Sequence, residues 1–315
     1  MIYSEFWDFA FPPFSDENRR ENFVPTRSAS LVSTRLRYAL GHGGGAAGLF
    51  GEPGVGKTRI AKSLLDEFSA AGWLAGYLPN PLGTPGDILA ALEPSAAPRS
   101  PVGGLAELQA FAAARARSGQ PAVLAVDDVQ AARGTDFLEI VRTLLNIEYG
   151  GRRSLSLLLI GQPGMERRLA AASSFNTRLD ARAVLSPMTD EEARLYILAR
   201  LKAAGSRQGI FTRQAAENLV RLGKGNPRQL NRLCELSLVV AYGLESEKVG
   251  PEIVEMAAGD LDLLPAGDAG FLPWPHPAGD GDGEKGEAEP GEEDILAALP
   301  GADRGLAGPS QGRTA

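Results

Sequence analysis

The sequence of 315 residues is poor in cysteine and histidine, and these shortages exclude several kinds of site. Its single cysteine, Cys234, cannot form an intramolecular disulfide, and such low usage is typical of a reducing compartment. The two histidines, His42 and His276, lie in a glycine run and a proline-rich stretch. A histidine-based metal site and a Ser-His-Asp triad are therefore not expected.

Long apolar runs are also missing. No stretch of the sequence approaches the roughly 20 consecutive apolar residues that span a bilayer. The N-terminus has no basic region followed by an apolar core and a small-residue cleavage site. We therefore expect a cytoplasmic protein without a membrane span.

Excess charge of one sign is confined to the C-terminal tail. Residues 265–315 contain ten acidic and three basic residues, whereas the other 264 residues contain 29 of each. A neutral body predicts no strong electrostatic attraction to nucleic acid. The tail also holds 18 glycines and prolines, so we expect it to be disordered. Within it, 294–299 is either a short docking helix or part of an inert, solubilising segment.

The clearest motif is a glycine-rich loop. Residues 51–58 read Gly-Glu-Pro-Gly-Val-Gly-Lys-Thr and fit G-x-x-x-x-G-K-[ST], whose backbone N–H groups cradle nucleotide phosphates. An apolar run precedes the loop and a helical pattern follows it, which is the strand–loop–helix frame that this motif requires. The candidate nucleotide-binding residues are Gly51, Glu52, Pro53, Gly54, Val55, Gly56, Lys57, Thr58 and Arg59.

Two adjacent acids, Asp127 and Asp128, end the predicted third strand, residues 121–128. Asp127 can hold Mg²⁺ directly or through a water molecule, together with the Thr58 hydroxyl. Asp128 supplies a second carboxylate that can polarise the attacking water. Ligands of open α/β sheets bind outside the carboxyl ends of the strands, so we assign both acids to the site rather than to the fold.

Three further side chains are candidates for the reaction. Gln162 ends the predicted fourth strand and would be level with Asp127 if that strand neighbours the third. Its amide either contacts the γ-phosphate or the water, or is an ordinary turn amide, since Gln-Pro-Gly is also a good turn. Arg178, or Arg182 instead, would act on a neighbouring subunit's nucleotide as an arginine finger, unless both are surface charges. Arg228 would read the γ-phosphate from the start of a helix or lie on that helix's surface.

The pattern of elements predicts four regions. Residues 26–187 alternate strands with helices, including a helix over 136–149, and this predicts an α/β domain with a parallel, doubly wound sheet. Residues 188–264 are helical and begin with the capping box Thr189-Asp-Glu-Glu. Residues 1–25 form an aromatic arm, which we expect to pack on the α/β domain. The arm either serves only for packing or also lines the nucleotide pocket. The tail, 265–315, completes the chain.

The chain resembles AAA+ ATPases, most closely the ExeA or general secretion pathway protein A group. The resemblance extends from residue 1 to about residue 258. Its most specific parts are the N-terminal aromatic–Pro-Pro-Phe signature and the Gly-Gln-Pro turn. The matching segments are Phe6-Trp-Asp-Phe9, Pro12-Pro-Phe-Ser15, Gly51–Thr58, Val126-Asp-Asp-Val-Gln130, Leu145-Asn-Ile-Glu148, Leu159-Ile-Gly-Gln-Pro163 and Gly225-Asn-Pro-Arg228.

The resemblance implies a P-loop NTPase fold of three layers, in which a parallel five-stranded sheet is followed by a small helical lid. It also implies ATP and Mg²⁺ as cofactors and a homo-oligomer with shared ATP sites. The implied roles are Walker A for Lys57 and Thr58, Walker B for Asp127, sensor 1 for Gln162, arginine finger for Arg178 and sensor 2 for Arg228.

One residue departs from the family pattern. Members usually place glutamate after the Walker B aspartate, whereas this chain has Asp128. A carboxylate one methylene shorter shifts the water by about an ångström, which costs on the order of 100-fold in rate. Replication-initiator AAA+ proteins carry a similar Asp-Asp pair.

Two functions are therefore expected as alternatives. The first is an ATPase that drives conformational control or assembly of a protein partner in a secretion, pilus or envelope system. The second is a nucleotide-gated, poorly hydrolysing module that acts on a DNA transposition or replication partner, although the charge of the body does not support DNA binding.

Overall fold

The computed structural model describes residues 3–15, 23–41, 44–81, 85–92, 105–132, 143–146, 148–149, 152–153, 155–171, 179–206 and 209–264. The predicted tail, 265–315, and Arg178 lie outside these residues. The described parts of the α/β region and of the helical region belong to one compact unit, Met1–Pro273.

Apart from the short antiparallel pair Glu148–Tyr149 and Arg152–Arg153, the described strands and helices follow the order that the sequence predicts. The strands are β1 (Ala46–Gly51), β2 (Leu74–Leu78), β3 (Ala122–Val126), β4 (Glu148–Tyr149), β5 (Arg152–Arg153), β6 (Leu155–Gly161) and β7 (Ala181–Leu185). The helices are α1 (Arg27–Leu40), α2 (Lys57–Ala70), α3 (Pro85–Leu92), α4 (Leu105–Ser118), α5 (Pro163–Ala171), α6 (Asp190–Ala203), α7 (Arg213–Gly223), α8 (Pro227–Gly243) and α9 (Pro251–Asp260). No helix in the described ranges is long and apolar enough to cross a bilayer.

Five strands form one parallel sheet in the order β2-β3-β6-β1-β7. The three central strands are buried along their whole length, which explains their uninterrupted apolar sequences. The edge strands β2 and β7 are only partly buried. Because β6 lies between β1 and β3, the carboxyl ends of these three strands meet at one edge, where the predicted site residues follow each strand.

Helices cover both faces of the sheet, so the α/β region has three layers. Side chains alternate along each strand: Leu124 and Val126 face the layer that contains α3 and α4, whereas Val123 and Ala125 face α1 and α2. The predicted parallel five-stranded α/β fold is confirmed.

The helices α6 to α9 share one apolar core with the N-terminal arm. Tyr3 donates a hydrogen bond to Glu235 at 2.6 Å, and the Trp7 indole donates to the carbonyl of Glu247 at 3.0 Å. Of the arm residues that the structure describes, Phe23, at the end of the arm, packs against the core of the α/β region. The expectation that the arm packs mainly on the α/β region was therefore wrong, because the helical lid offers the apolar surface that its aromatic rings cover.

The predicted helix over 136–149 was too long. Residues 133–142 lie outside the described part, and residues 143–145 are helical. Glu148–Tyr149 instead forms β4, which pairs antiparallel with β5. Gly150 and Gly151 lie between these strands in the sequence, and a glycine pair is a common hairpin connection that overrides the apolar helical spacing before it.

Candidate nucleotide-binding site

The glycine-rich loop joins β1 to α2 in a conformation that requires glycine. Gly54 and Gly56 have φ of 84° and 102°, a region that residues with a side chain rarely adopt. Helix α2 begins at Lys57, and its N-cap residue, Gly56, has no side chain to cap the first N–H groups. Uncapped N–H groups at a helix N-terminus, together with the helix dipole, form an anion-binding site.

Lys57 extends back along the loop rather than into solvent. Its Nζ donates to the carbonyls of Gly51 and Glu52 at 2.8 and 2.9 Å. Burial lowers the pKa of Lys57, whereas the neighbouring carboxylates, Asp127 foremost, raise it, and Arg228 lowers it. The loop thus holds a cation beside the open end of α2, and a second cation lies close enough to influence it.

Asp127 lies at the centre of a hydrogen-bond network at the end of β3. Its Oδ2 accepts from the Thr58 hydroxyl at 2.6 Å and from the Tyr77 hydroxyl at 2.9 Å, and its Oδ1 accepts from the N–H of Asp128 at 2.8 Å. Asp127 is only 5% exposed. Burial, followed by the bond to Asp127, raises the pKa of Tyr77, so the phenol stays a donor. The carboxylate is therefore held in one orientation beside Thr58.

The residues at this point fit Mg²⁺ bound together with a nucleotide. A hydroxyl and a carboxylate are the hard oxygen ligands that Mg²⁺ prefers, and this ion is usually held by one or two protein groups plus substrate phosphates. Within the described residues, no group of three or more His, Cys, Asp or Glu side chains forms a self-sufficient metal site. The donor set of Thr58 and Asp127 therefore suits a metal that phosphates help to hold.

Asp128 and Gln162 lie on the same cleft, at the ends of neighbouring strands. Val126 is paired with Leu159, which confirms that the two strands are neighbours. Asp128 is exposed and has a left-handed backbone conformation with φ 49° and ψ 40°. Gln130, two residues later, contacts both the Asp128 carboxylate and the backbone of Gln162.

The helical lid touches the glycine-rich loop directly. Asn226 donates through Nδ2 to the carbonyl of Pro53 at 2.8 Å, while its Oδ1 accepts from two N–H groups at the start of α8. The N–H of Arg228 donates to the carbonyl of Gly54 at 3.3 Å. A Cβ on Gly54 would lie 2.5 Å from Asn226 Oδ1, so only glycine permits this approach. The position of the lid helix is thereby coupled to the phosphate loop.

One cleft of about 560 Å³ collects most of the predicted residues, a volume within the usual range for ligand sites. The predicted residues that line it are Pro53, Gly54, Val55, Gly56, Lys57, Thr58, Arg59, Asp127, Asp128, Gln162 and Arg228. Gly51 and Glu52 contribute through the carbonyls that hold Lys57.

The arm and the lid form the other wall of the cleft. Phe23 lies under the guanidinium of Arg59, with 5.6 Å between that group and the ring centroid. Ser15, Tyr196 and Asn231 also line the cleft. The Tyr196 hydroxyl donates to Asn231 at 2.9 Å. The arm thus reaches the pocket as well as packing on the lid.

Arg182, one of the two candidate arginine fingers, does not line this cleft. Arg178 lies outside the described residues. Arg182 lies on the edge strand β7, in a separate groove that it forms with residues of α1 such as Arg35 and Tyr38. The predicted role of either arginine in a neighbouring subunit therefore stays a prediction.

Three polar residues that contact the predicted site were not predicted from the sequence: Tyr77, Gln130 and Asn226. Gln130 and Asn226 lie inside segments that carry the family resemblance, and this was the available signal. Tyr77 had no such signal, because its contact depends on β2 lying beside β3.

Comparison with known proteins agrees with this geometry. The sequence profile of the AAA domain matches residues 41–169. General secretion pathway protein A of Aeromonas hydrophila is 32% identical over 268 residues, covering 82% of this chain and 48% of that protein. The chain thus spans about half the length of this relative.

Solved structures share the fold at low sequence identity. Cdc6p of Pyrobaculum aerophilum superposes with a TM-score of 0.63 at 19% identity, covering 79% of this chain and 70% of that one. The ORC2 protein of Aeropyrum pernix, solved in ADPNP–ADP complexes, gives 0.61 at 16% identity, with coverages of 80% and 72%. The ORC1 protein of the same organism, in complex with DNA, gives 0.59 at 21% identity, with coverages of 79% and 68%. The matched profile makes residues 41–169 an AAA domain, and the similarity to general secretion pathway protein A and the P-loop NTPase fold shared with the Cdc6p and ORC structures agree with this assignment.

Proposed function

We propose that the protein binds ATP with Mg²⁺ in this cleft, hydrolyses it, and uses the cycle to control a protein partner. One observation carries the proposal. The bond between Thr58 and Asp127 joins the start of α2 to the end of β3, beside Lys57, with the lid resting on the same loop. A pair of groups that can hold Mg²⁺, a phosphate-binding loop and nearby polar groups that can orient the attacking water are the parts that phosphoryl transfer requires.

Each residue has a distinct task in this proposal. The loop N–H groups and Lys57 bind the phosphates, and Thr58 and Asp127 hold the metal. Bound Mg²⁺ would neutralise charge on the phosphate oxygens. Asp128 accepts a proton from the attacking water, and Gln162 orients that water or the γ-phosphate. Arg228 contributes positive charge from the lid, and Arg178 does so from a neighbouring subunit.

The contacts between lid and loop provide the link from nucleotide to partner. Asn226 and Arg228 bind carbonyls of the loop, so a change in the loop on nucleotide binding or release changes the support of α8. The arm shares the lid core and would move with it. We infer that this movement drives assembly or release of a partner, in a homo-oligomer with shared sites. The similarity to general secretion pathway protein A favours a partner in a secretion-type system.

A second function is favoured by the shorter carboxylate at Asp128. If that side chain does not reach the water, ATP acts as a signal, and the protein is a nucleotide-gated module for a DNA replication or transposition partner. The ORC1 structure of the same fold contains DNA, which makes DNA a reasonable probe for this alternative.

Lys57→Ala tests the site, with Lys202→Ala on an exposed position of α6 as the matched control. We expect Lys57→Ala to weaken Mg²⁺–ATP binding at least about 10-fold, since it removes a charge-assisted contact with phosphate. Lys202→Ala should bind like the wild type. Binding is measured with a fluorescent ATP analogue and by calorimetry. Unchanged affinity in Lys57→Ala would show that the glycine-rich loop is not the phosphate site.

Asp128→Asn separates the two functions. Steady-state phosphate release that exceeds the rate of Asp128→Asn supports the ATPase. Equal, negligible rates in both proteins contradict hydrolysis and favour the nucleotide-gated module. In that case we expect DNA binding that depends on ATP and weakens as salt increases.

A further inference from the structure

Gln130 bridges the two residues proposed to act on the attacking water. Its Nε2 donates to Asp128 Oδ1 at 2.8 Å, and its Oε1 accepts from the backbone N–H of Gln162 at 3.2 Å. A backbone N–H only donates and a carboxylate only accepts, so a single orientation of the amide satisfies both partners. The side chain therefore connects the end of β3 to the end of β6 in a defined way.

The local backbone explains how this bridge forms. Asp128 has a left-handed conformation, which aspartate tolerates better than most residues, and a 3₁₀ turn, Val129–Ala131, follows it. Val129 is fully buried and anchors the turn. The turn brings the side chain of Gln130 back over the Asp128 carboxylate.

Gly161 provides the space that the bridge occupies. A Cβ at this position would lie 2.7 Å from Val129 Cγ2 and 3.3 Å from Gln130 Oε1. The absence of a side chain at the end of β6 thus allows the 3₁₀ turn and the amide to approach the strand closely. This is a second, independent feature that supports the bridge.

We propose that Gln130 is a positioning residue that orients the Asp128 carboxylate and couples it to the backbone of Gln162; this role rests on the proposed hydrolysis of ATP. An exposed aspartate samples several staggered rotamers, and a charge-assisted hydrogen bond favours one of them. Positioning matters here because the carboxylate is shorter than the usual glutamate. Gln130 itself touches neither the phosphates nor the water in this proposal.

Gln130→Met tests the role, because methionine keeps the length of the side chain and removes both hydrogen bonds. We expect kcat to fall about 10-fold, since loss of orientation at a reacting group lowers the rate steeply. The affinity for Mg²⁺–ATP should stay within about 2-fold of the wild type, since the phosphate loop is intact. A role in substrate binding would instead change affinity and leave kcat unaltered.

Gln120→Met is the matched control. Gln120 precedes β3, at the opposite end of the strand from Gln130. It also forms a bridge, accepting from Arg115 at 2.7 Å and donating to the carbonyl of Gly72 at 3.5 Å. Loss of these two hydrogen bonds in Gln120→Met should leave kcat unchanged. Equal decreases in both variants would mean that any bridging glutamine on this strand has the same general effect, and would overturn the proposal.

Two further measurements separate positioning from stability. In the nucleotide-free protein, hydrogen exchange at the Gln162 amide should accelerate in Gln130→Met and not in Gln120→Met. In an Asp128→Asn background, single-turnover rates should be the same with Gln or Met at position 130. Additive losses would show that Gln130 does not act through Asp128, and unaltered exchange would show that the bridge is absent in solution.

The outcomes also distinguish this inference from the proposed function. A wild type with no phosphate release above that of Lys57→Ala contradicts the proposed function and this role with it. An active wild type with unaltered kcat in Gln130→Met contradicts the positioning role alone.

Discussion

Arg200 connects the N-terminal arm to the lid, and its replacement by methionine tests how strongly the arm is held. The residue lies on α6 and is only 4% exposed. Its Nε donates to the carbonyl of Pro13 at 2.6 Å, its Nη2 to the carbonyl of Ser15 at 3.0 Å, and its Nη1 to the Tyr196 hydroxyl at 2.7 Å. Methionine keeps the apolar stem and removes all three bonds.

The expected decrease in the free energy of unfolding follows from these contacts. Hydrogen bonds to charged groups contribute about 1.5–3 kcal/mol each, so these three bonds together contribute about 4.5–9 kcal/mol before the cost of burying the charge. Burying the guanidinium costs several kcal/mol, which the variant recovers, whereas each buried acceptor that loses its partner costs about 1–3 kcal/mol. We therefore expect the free energy of unfolding to fall by about 3–4 kcal/mol in Arg200→Met.

Urea denaturation measures this change, with Arg194→Met as the control on an exposed position of the same helix. The control should differ from the wild type by less than about 0.5 kcal/mol. Limited proteolysis should cleave the arm of Arg200→Met faster, and ATP affinity should fall because Ser15 and Phe23 line the cleft. A loss of stability below about 1 kcal/mol would refute the conclusion that the bonds from Arg200 hold the arm strongly on the lid.

Two further changes test the site and the junction between lid and sheet. Tyr77→Phe removes one hydrogen-bond donor to Asp127. The factor by which Mg²⁺ strengthens ATP binding should fall about 10-fold, whereas ATP binding in EDTA should not change. Equal Mg²⁺ titrations of ATP binding in the wild type and the variant would contradict this. Burial raises the pKa of Glu192, but bonds from Ser28 and Thr189 bring it below its ordinary value of 4.5. Because this pKa is lower in the folded state, the stabilisation is present above pH 4.5 and is lost as pH falls through the folded value. The difference in unfolding free energy between the wild type and Glu192→Gln should therefore shrink from pH 7 to about pH 3, and a difference that grows on acidification would contradict the reasoning.

Much of the fold was predictable because its signals are local. The central strands are apolar along their whole length, and this requires cover on both faces of a parallel sheet. The start of the lid was equally clear, since Thr189 and Glu192 form both bonds of the predicted capping box. The helix over 136–149 was the exception, because apolar spacing does not show where a hairpin replaces the last turn of a helix.

In the candidate site, too, local features could be predicted from the sequence, whereas contacts between strands could not. The phosphate loop is eight consecutive residues, so sequence by itself determined its conformation, its lysine and the helix that follows it. The order of the strands was decided only in the tertiary structure, which places β6 between β1 and β3. That order brings Gln162 to the bridge of Gln130 and Tyr77 to the carboxylate of Asp127.

The surface on which the arm packs was likewise decided only by tertiary structure. Composition shows that its aromatic rings must be buried, and it does not show against which surface. The buried guanidinium of Arg200 and the apolar lid core settle the question, because they satisfy the carbonyls and the rings of the arm together. Features that depend on residues adjacent in the sequence could thus be predicted from the sequence alone. Features that depend on residues brought together by folding could be determined only from the tertiary structure.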